Sequence, residues 1–161
     1  MKTLVAPNGY EEMIKVFGDI RSYINEDGTL DVEWEKKILD RVYLPYPLKL
    51  SWNGQLVTRM SCHYLLVFII QEVFRKIMDN GLEGDCREFG GCYMFRVQRG
   101  SKRISTHAWG IALDLEPTKN PLGGPTNMNP KVVEIFESSG FVWGGNFKRI
   151  DGMHFQYCSG V

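Results

Sequence analysis

A change in the spacing of apolar residues near Gly81 constrains the fold of this chain more than any other feature of its sequence. Before Gly81, apolar residues recur every three or four positions, as on one face of a helix, and the longest such segment covers 61–80. After Gly81, short apolar runs separated by glycines suit the strands of an antiparallel sheet, at 90–97, 111–115 and 154–157. Helices followed by strands predict an α+β domain, with a small antiparallel sheet packed against helices.

Two shorter helices are predicted, one near each end of the chain. Asn8 and Glu11 resemble a capping box, and the apolar residues that follow fall on one face until Gly18 offers a stop. The second helix covers 130–139 and ends at Gly140. At this spacing an apolar stripe is typical of a core-facing helix rather than of a partner-binding face.

The strongest hairpin signal in the chain is Asn53-Gly54, because these residues tolerate positive φ. It predicts a two-stranded ribbon with strands at 48–52 and 55–59. The segment 30–44 is compatible with either a short helix or a strand, and we expect Pro45 and Pro47 to end it.

Length and charge narrow the classes of protein to consider. The 161 residues contain no linker-like stretch, so we expect one domain over 1–161, with a helical and hairpin part over 1–60 and a core over 61–161. Acidic and basic residues balance at 19 each, and no Lys/Arg run is interleaved with aromatics. The sequence therefore gives no sign of nucleic-acid binding.

The N-terminus is too weakly apolar for a signal peptide, and the longest apolar run, 64–70, is far below the roughly 20 residues that cross a bilayer. We therefore expect a chain made in the cytoplasm without stable membrane association. The four cysteines lack Cys-x-x-Cys spacing, so we expect buried, reduced thiols rather than disulfides or a thiolate zinc site; they are Cys62, Cys86, Cys92 and Cys158.

The residues that carry chemistry cluster in the second half. The segment from Ser105 to Asp114 places His107 and Asp114 seven residues apart, and Asp151 and His154 follow near the C-terminus. If 110–115 is extended, Asp114 projects from a strand whose other face is apolar. A Trp-Gly turn after His107 can fold the imidazole back toward Asp114, and we expect the small Gly110 and Ala112 to leave room for an ion.

Two imidazoles and one carboxylate form the protein ligand set of a catalytic zinc, with the fourth position left for water. His107, Asp114 and His154 provide that set, whereas calcium would need more oxygen ligands. A carboxylate that is not a ligand can act as general base and then acid, and Asp151 is placed for this role.

Two further predictions concern charged side chains near this motif. Amide hydrolysis needs a positive group where negative charge develops, and we assign Arg96, at the end of the strand that leads into the motif, with Arg99 and Arg103 as rivals. His63 could be a further metal ligand, but its place on an apolar helix face favours a hydrogen-bonded structural histidine.

These residues resemble the zinc peptidases that include D-alanyl-D-alanine carboxypeptidases and phage or bacterial L-alanyl-D-glutamate endopeptidases. The family pattern Ser-x-His-x-x-Gly-x-Ala-x-Asp is matched at every fixed position from Ser105 to Asp114, and the later Asp-x-x-His is matched by Asp151 and His154. The flanking segments look like the phage-lysin branch; they are Gly90-Gly-Cys-Tyr-x-x-Arg96, Asp114-Leu-Glu-Pro, Asn120-Pro and Gly140-Phe-Val-Trp-Gly-Gly.

The resemblance implies that His107, Asp114 and His154 hold Zn²⁺, that Asp151 is the general base and acid, and that Arg96 anchors or polarises the substrate. It also implies the small α+β fold that these DD-peptidases share with Hedgehog signalling proteins.

The expected reaction is amide hydrolysis in the peptidoglycan stem peptide. The lysin-like flanks favour an L-alanyl-D-glutamate endopeptidase over a D-alanyl-D-alanine carboxypeptidase. We expect a monomeric phage endolysin, held in the host cytoplasm and released through a holin to the periplasm and cell wall. Two alternatives stay open: a tail-associated wall hydrolase, and a non-catalytic zinc-binding module, against which the retained Asp151 argues.

Overall fold

Four helices and six strands make up the protein, whose computed structural model describes residues 4–98 and 103–161. The helices are α1 (Tyr10–Phe17), α2 (Val32–Ile38), α3 (Val67–Asp79) and α4 (Pro130–Ser138). The strands are β1 (Leu39–Leu50), β2 (Leu56–His63), β3 (Glu88–Gly91), β4 (Ala112–Leu115), β5 (Val142–Trp143) and β6 (His154–Gln156). They form one sheet in the order β2-β1-β3-β4-β6-β5, which confirms the predicted α+β class.

The sheet is mixed rather than purely antiparallel. Strands β1 and β3 run parallel, whereas the other neighbouring pairs are antiparallel. Parallel neighbours need a crossover connection, and α3 lies in the chain between β2 and β3 and packs on β1. The helix and strand patterns therefore identified the elements but not this one pairing direction.

The predicted hairpin is confirmed with corrected bounds: its strands extend farther from the turn than predicted, and its turn is wider, because β1 ends at Leu50 rather than at residue 52 and β2 begins at Leu56 rather than at residue 55. Gly54 adopts a φ of 74°, and the Asn53 side-chain oxygen accepts a hydrogen bond from the Gln55 backbone N–H at 2.9 Å. The prediction that Pro45 and Pro47 end the preceding segment is wrong, because β1 continues through both. The register of β1 against β2 shifts between residues 43 and 48, so the prolines lie where the ladder is already irregular.

The helix predictions hold with corrected boundaries. Helix α1 ends at Gly18 as predicted, but Gly9 caps it and the Asn8 backbone N–H bonds to Glu12 instead of Glu11. The ambiguous segment 30–44 contains both α2 and the start of β1. Helix α3 begins at Val67 rather than at residue 61, because residues 61–63 belong to β2.

An aromatic core lies between the sheet and helices α3 and α4. The Phe136 ring stacks on Phe155 of β6 at 4.2 Å and meets Phe74 of α3 edge-on at 6.3 Å. Stacked and edge-on pairs of this kind bury large apolar areas in defined geometry. This packing holds β6 in place from its core face. It thereby also positions the side chains on the opposite face of the strand.

The N-terminal part of the chain holds a short 3₁₀ helix, Thr106–Trp109, in place. The Trp34 indole N–H donates to the carbonyl of Ala108 at 2.9 Å, and the Trp109 indole N–H donates to the carbonyl of Gly18 at 2.8 Å. Residues before 60 therefore share the sheet with the later strands and also support the segment that carries His107.

All four cysteines are free and buried, as predicted. Across residues 4–98 and 103–161, no helix is both long enough and apolar enough to span a lipid bilayer.

Candidate metal centre

Strand pairing brings two of the predicted ligands face to face. Asp114 in β4 is the direct cross-strand partner of His154 in β6. The adjacent pair, Leu113 and Phe155, is fully buried. Because side chains alternate along a strand, Asp114 and His154 point away from the aromatic core and toward the opposite side of the sheet.

His107 reaches the same point from the 3₁₀ helix. The Ser105 hydroxyl accepts a hydrogen bond from the His107 backbone N–H, and Gly110, with a φ of 65°, ends the helix. A Cβ on Gly110 would lie 2.8 Å from the backbone nitrogen of His63. The expectation that Gly110 leaves room for an ion is therefore wrong, since its open side lies against the β2 backbone.

The three predicted ligands converge on one carboxylate oxygen. Asp114 Oδ1 lies 3.3 Å from His107 Nε2 and 3.1 Å from His154 Nδ1. One ligand atom from each residue can be chosen so that all three lie within 4.8 Å of one another. Both imidazoles are buried, and the carboxylate is only slightly exposed. The arrangement has the donor types and spacing that could hold a metal ion.

Hydrogen bonds at the far side of each ring determine which nitrogen faces Asp114 as a lone pair. His107 Nδ1 lies 2.6 Å from the carbonyl oxygen of Cys92, which can only accept, so Nδ1 carries the proton. His154 Nε2 lies 3.0 Å from the side-chain oxygen of Gln156, and its Nδ1 lies 3.1 Å from Asp114 Oδ1; both oxygens are acceptors, so the neutral ring can donate to only one of them. When neutral His154 carries its proton on Nε2, both rings direct a bare lone pair toward the same carboxylate.

Two lone pairs and a carboxylate facing one another repel unless a positive charge lies between them. Consistent with this, the buried His107 Nε2 has no hydrogen-bond partner among the described residues. A divalent cation bound by two imidazole nitrogens and one carboxylate oxygen would supply the charge, and this donor set suits zinc. The residues present thus fit the ion that the sequence predicts.

Without a metal, a proton supplies part of that charge. Burial disfavours the ionised form of Asp114, but the facing His107 and His154 outweigh it and hold the Asp114 pKa well below its usual range. Burial also opposes protonation of His154, yet the hydrogen bond and charge of Asp114 raise the His154 pKa above its usual value. A metal ion would therefore displace a proton from His154, so its affinity should fall as pH is lowered.

Asp151 lies beside this group but outside it. It opens the turn into β6, and its carbonyl accepts a hydrogen bond from the His154 backbone N–H. Its Oδ1 is buried and has no hydrogen-bond partner among the described residues. Burial raises the Asp151 pKa. An unpartnered carboxylate with a raised pKa is suited to accept and return a proton.

The Asp151 turn fits against a glycine. The Asp151 backbone N–H donates to the carbonyl of Gly144 at 2.9 Å. A Cβ on Gly144 would come within 2.5 Å of the Asp151 carbonyl oxygen and 3.2 Å of the His154 Cβ. Gly144, in the glycine pair that ends the flanking segment 140–145, therefore allows the Asp151 turn to approach the chain closely at this point.

Two clefts open next to Asp114, and Arg96 lines both. One, of about 270 Å³, is also lined by Phe147, Arg149, Asp151 and His154. The other, of about 350 Å³, is lined by residues 90–94, Arg96, Val97 and His107. Asp114 and Arg96 are the two residues that line both clefts.

Arg96 lines both clefts, but it does not lie at the end of a strand as predicted. Strand β3 ends at Gly91, so Arg96 is in the loop that follows, and its carbonyl accepts a hydrogen bond from the Ser105 backbone N–H. Its charge acts to lower the Asp151 pKa, against the larger effect of burial. The rival Arg99 lies outside the described residues, and Arg103 is exposed.

Sequence reasoning missed the supports behind the ligands. The Cys92 carbonyl and the Gln156 side chain orient the two histidines, and Gly90 makes room for Asp114, since a Cβ there would lie 2.9 Å from the Asp114 Cβ. Strand alternation predicts that Gln156 shares a face with His154, and this is the signal that could have found it. A backbone carbonyl such as that of Cys92 leaves no signal in the sequence.

His63 is the structural histidine that the sequence favours. Its Nε2 lies 3.1 Å from the carbonyl of Phe17, and its Nδ1 accepts a hydrogen bond from the Leu65 backbone N–H at 3.3 Å. It is 1% exposed and is not part of the candidate metal group. Burial lowers the His63 pKa to about 4.

The low His63 pKa predicts a pH-dependent stability. A folded-state pKa of about 4, against an ordinary value of 6.5, means that protonation favours the unfolded chain. The stability of metal-free protein should therefore fall as pH drops from about 6.5 toward 4, with His63 accounting for about 3 kcal/mol of the change. Urea unfolding of wild type and His63→Gln at both pH values should show a smaller loss in the variant. An equal loss in both, or a lower zinc content in the variant, would contradict this reading.

Comparison with known protein families covers the part of the chain that holds these residues. Residues 99–157 match the sequence profile of a family described as D-alanyl-D-alanine carboxypeptidase. The matched range includes all three predicted ligands and Asp151; it ends one residue beyond β6 and excludes Arg96. No curated protein matches the chain.

Proposed function

We propose that this protein is a zinc peptidase that hydrolyses an amide bond in the peptidoglycan stem peptide, because residues 99–157, which carry the candidate metal centre, match the profile of a family described as D-alanyl-D-alanine carboxypeptidase. The observation that carries the proposal is the geometry around Asp114. Two imidazole nitrogens face its carboxylate, while a separate carboxylate, Asp151, lines the adjoining cleft and its Oδ1 has no hydrogen-bond partner among the described residues.

The contacts of each residue indicate its role in the proposed reaction. His107, Asp114 and His154 would hold the zinc ion, whose Lewis acidity activates water and polarises a carbonyl. Asp151 takes a proton from the attacking water and returns it to the leaving amine, a role that suits its raised pKa. Arg96, which lines both clefts, would offer positive charge to the carbonyl oxygen or to a substrate carboxylate.

For the bond that is cut, we favour the one between L-Ala and D-Glu. This choice is supported by the phage-lysin-like segments that flank the motif, at 90–96, 114–117 and 140–145. The cleft lined by Asp151 is also lined by Arg96 and Arg149, whose positive charges suit a substrate carboxylate, either the free α-carboxylate of D-Glu or the terminal carboxylate of D-Ala. A D-alanyl-D-alanine carboxypeptidase is the second candidate, favoured by the description of the matching family.

On the same flanking segments we propose that the protein is a phage endolysin. It would act as a monomer, wait in the host cytoplasm and reach the wall through a holin. A non-catalytic zinc module is disfavoured because Asp151 is retained and its Oδ1 is left without a structural hydrogen bond among the described residues.

Digestion of purified peptidoglycan identifies the bond directly. Mass analysis of the products should reveal a new N-terminal D-Glu after treatment with the zinc-loaded protein. Release of free D-Ala would instead assign the carboxypeptidase reaction. If a folded, zinc-loaded protein released neither product, the proposed hydrolase would be contradicted. Asp151→Asn protein supplies the background level.

A further inference from the structure

Gln156 lies two residues after His154 on β6 and is 4% exposed. Its side-chain oxygen lies 3.0 Å from His154 Nε2 and 3.3 Å from the Thr106 hydroxyl, and its side-chain nitrogen donates to the carbonyl of Cys158 at 3.1 Å. Every polar atom of this buried amide therefore has a partner. Such a side chain has little freedom to rotate.

The partners leave one orientation for the amide group. The Cys158 carbonyl can only accept, so the amide nitrogen must face it and the amide oxygen must face His154. The Thr106 hydroxyl then donates to that same oxygen. An oxygen at this position can only accept, so it bonds to His154 when the ring carries a proton on Nε2. In the neutral ring that arrangement leaves the lone pair on Nδ1, 3.1 Å from Asp114 Oδ1, available to a metal ion.

We infer that Gln156 is a positioning residue that holds His154 in the tautomer and ring orientation needed to bind the metal through Nδ1. This inference rests on the proposed zinc-dependent function. The Cys92 carbonyl performs the same task for His107, but it accepts from Nδ1 rather than from Nε2. His154 therefore presents Nδ1 to the metal, and His107 presents Nε2. Thr106 connects the segment that carries His107 to Gln156, because it precedes His107 in the chain and its hydroxyl donates to the Gln156 side-chain oxygen.

If Gln156 positions His154 in this way, it contributes to the zinc affinity of the site. A ring nitrogen binds a cation more strongly when the opposite N–H donates to a fixed acceptor, and loss of such an acceptor typically weakens metal binding about 10- to 100-fold. In Gln156→Met, a side chain of similar length fills the space without accepting a hydrogen bond. Its zinc affinity, measured by competition with a chelator, should fall within that range.

A second readout reports on the ring itself. In zinc-loaded protein with ¹⁵N-labelled histidine, NMR should find the His154 proton on Nε2 and the His107 proton on Nδ1. The His154 Nε2 proton should exchange slowly with water in wild type and much faster in Gln156→Met. A purely structural role for Gln156 would not single out this proton.

Two further variants separate the hydrogen bond from general damage to β6. Gln156→Glu keeps an acceptor for His154 Nε2 and should recover most of the affinity lost in Gln156→Met. Phe155→Leu weakens the stack on Phe136 from the other face of the same strand, so it should lower the unfolding temperature while leaving zinc affinity within about twofold.

The possible failures are distinguishable. If wild type binds no zinc, the proposed function itself is wrong. If wild type binds zinc but Gln156→Met binds it equally tightly, or if His154 carries its proton on Nδ1, the positioning role of Gln156 is wrong and the zinc site stands.

Discussion

Asp151→Asn is expected to retain zinc and to lower the rate of peptidoglycan cleavage about 10²- to 10⁴-fold. Asparagine has nearly the same size as aspartate but cannot take a proton from water. Asp151 is not one of the three residues that could hold the metal, so its loss should leave zinc affinity nearly unchanged. The measurement is a turnover rate on purified peptidoglycan, alongside the zinc content of the same preparation.

A matched control is Asp40→Asn, which changes an exposed carboxylate on β1 and should have wild-type activity. Full activity in Asp151→Asn would remove Asp151 from the proton-transfer role. Loss of zinc in that variant, with the fold intact, would instead show that Asp151 belongs to the metal site.

Asp114→Asn should have the opposite signature, because its main effect is on metal binding. The Asp114 carboxylate faces both histidine lone pairs, so an amide removes one ligand and the negative charge that offsets the cation. We expect zinc affinity to fall by more than the roughly 100-fold typical of losing an outer hydrogen bond to a ligand, with activity lost in parallel. Competition with a chelator measures the affinity, and circular dichroism checks the fold.

The comparison with Asp151→Asn gives this test its meaning. Both variants replace one cleft carboxylate with an amide, yet only Asp114→Asn should lose zinc. Equal zinc affinity in wild type and Asp114→Asn would contradict the assignment of Asp114 as a ligand.

Local patterns predicted the elements of this fold better than their connections. Apolar periodicity identified α1, α3 and α4, and Asn53-Gly54 identified the hairpin, because these signals depend on neighbouring residues alone. The parallel pairing of β1 with β3 depends on residues about 40 positions apart and on the path of α3. The prolines in β1 were misjudged because a strand tolerates them where its ladder is irregular.

In the candidate site, too, local features could be predicted from the sequence and long-range contacts could not. Residue types and spacing indicated which side chains could bind zinc, and pairing of β4 with β6 explains how Asp114 and His154 meet across 40 residues. The choice of ring nitrogen could not be predicted, since it depends on a backbone carbonyl for His107 and a buried amide for His154. The place of Arg96 in a loop was missed because β3 ends earlier than its apolar run suggests.

The central claim is that His107, Asp114 and His154 hold a zinc ion on which peptide cleavage depends. The most direct test is zinc titration of metal-free protein while cleavage of peptidoglycan is followed by mass analysis. We predict that activity is absent at the start, rises with added zinc and saturates at about one ion per chain. Folded, metal-free protein that cleaves peptidoglycan at the full rate would contradict the claim.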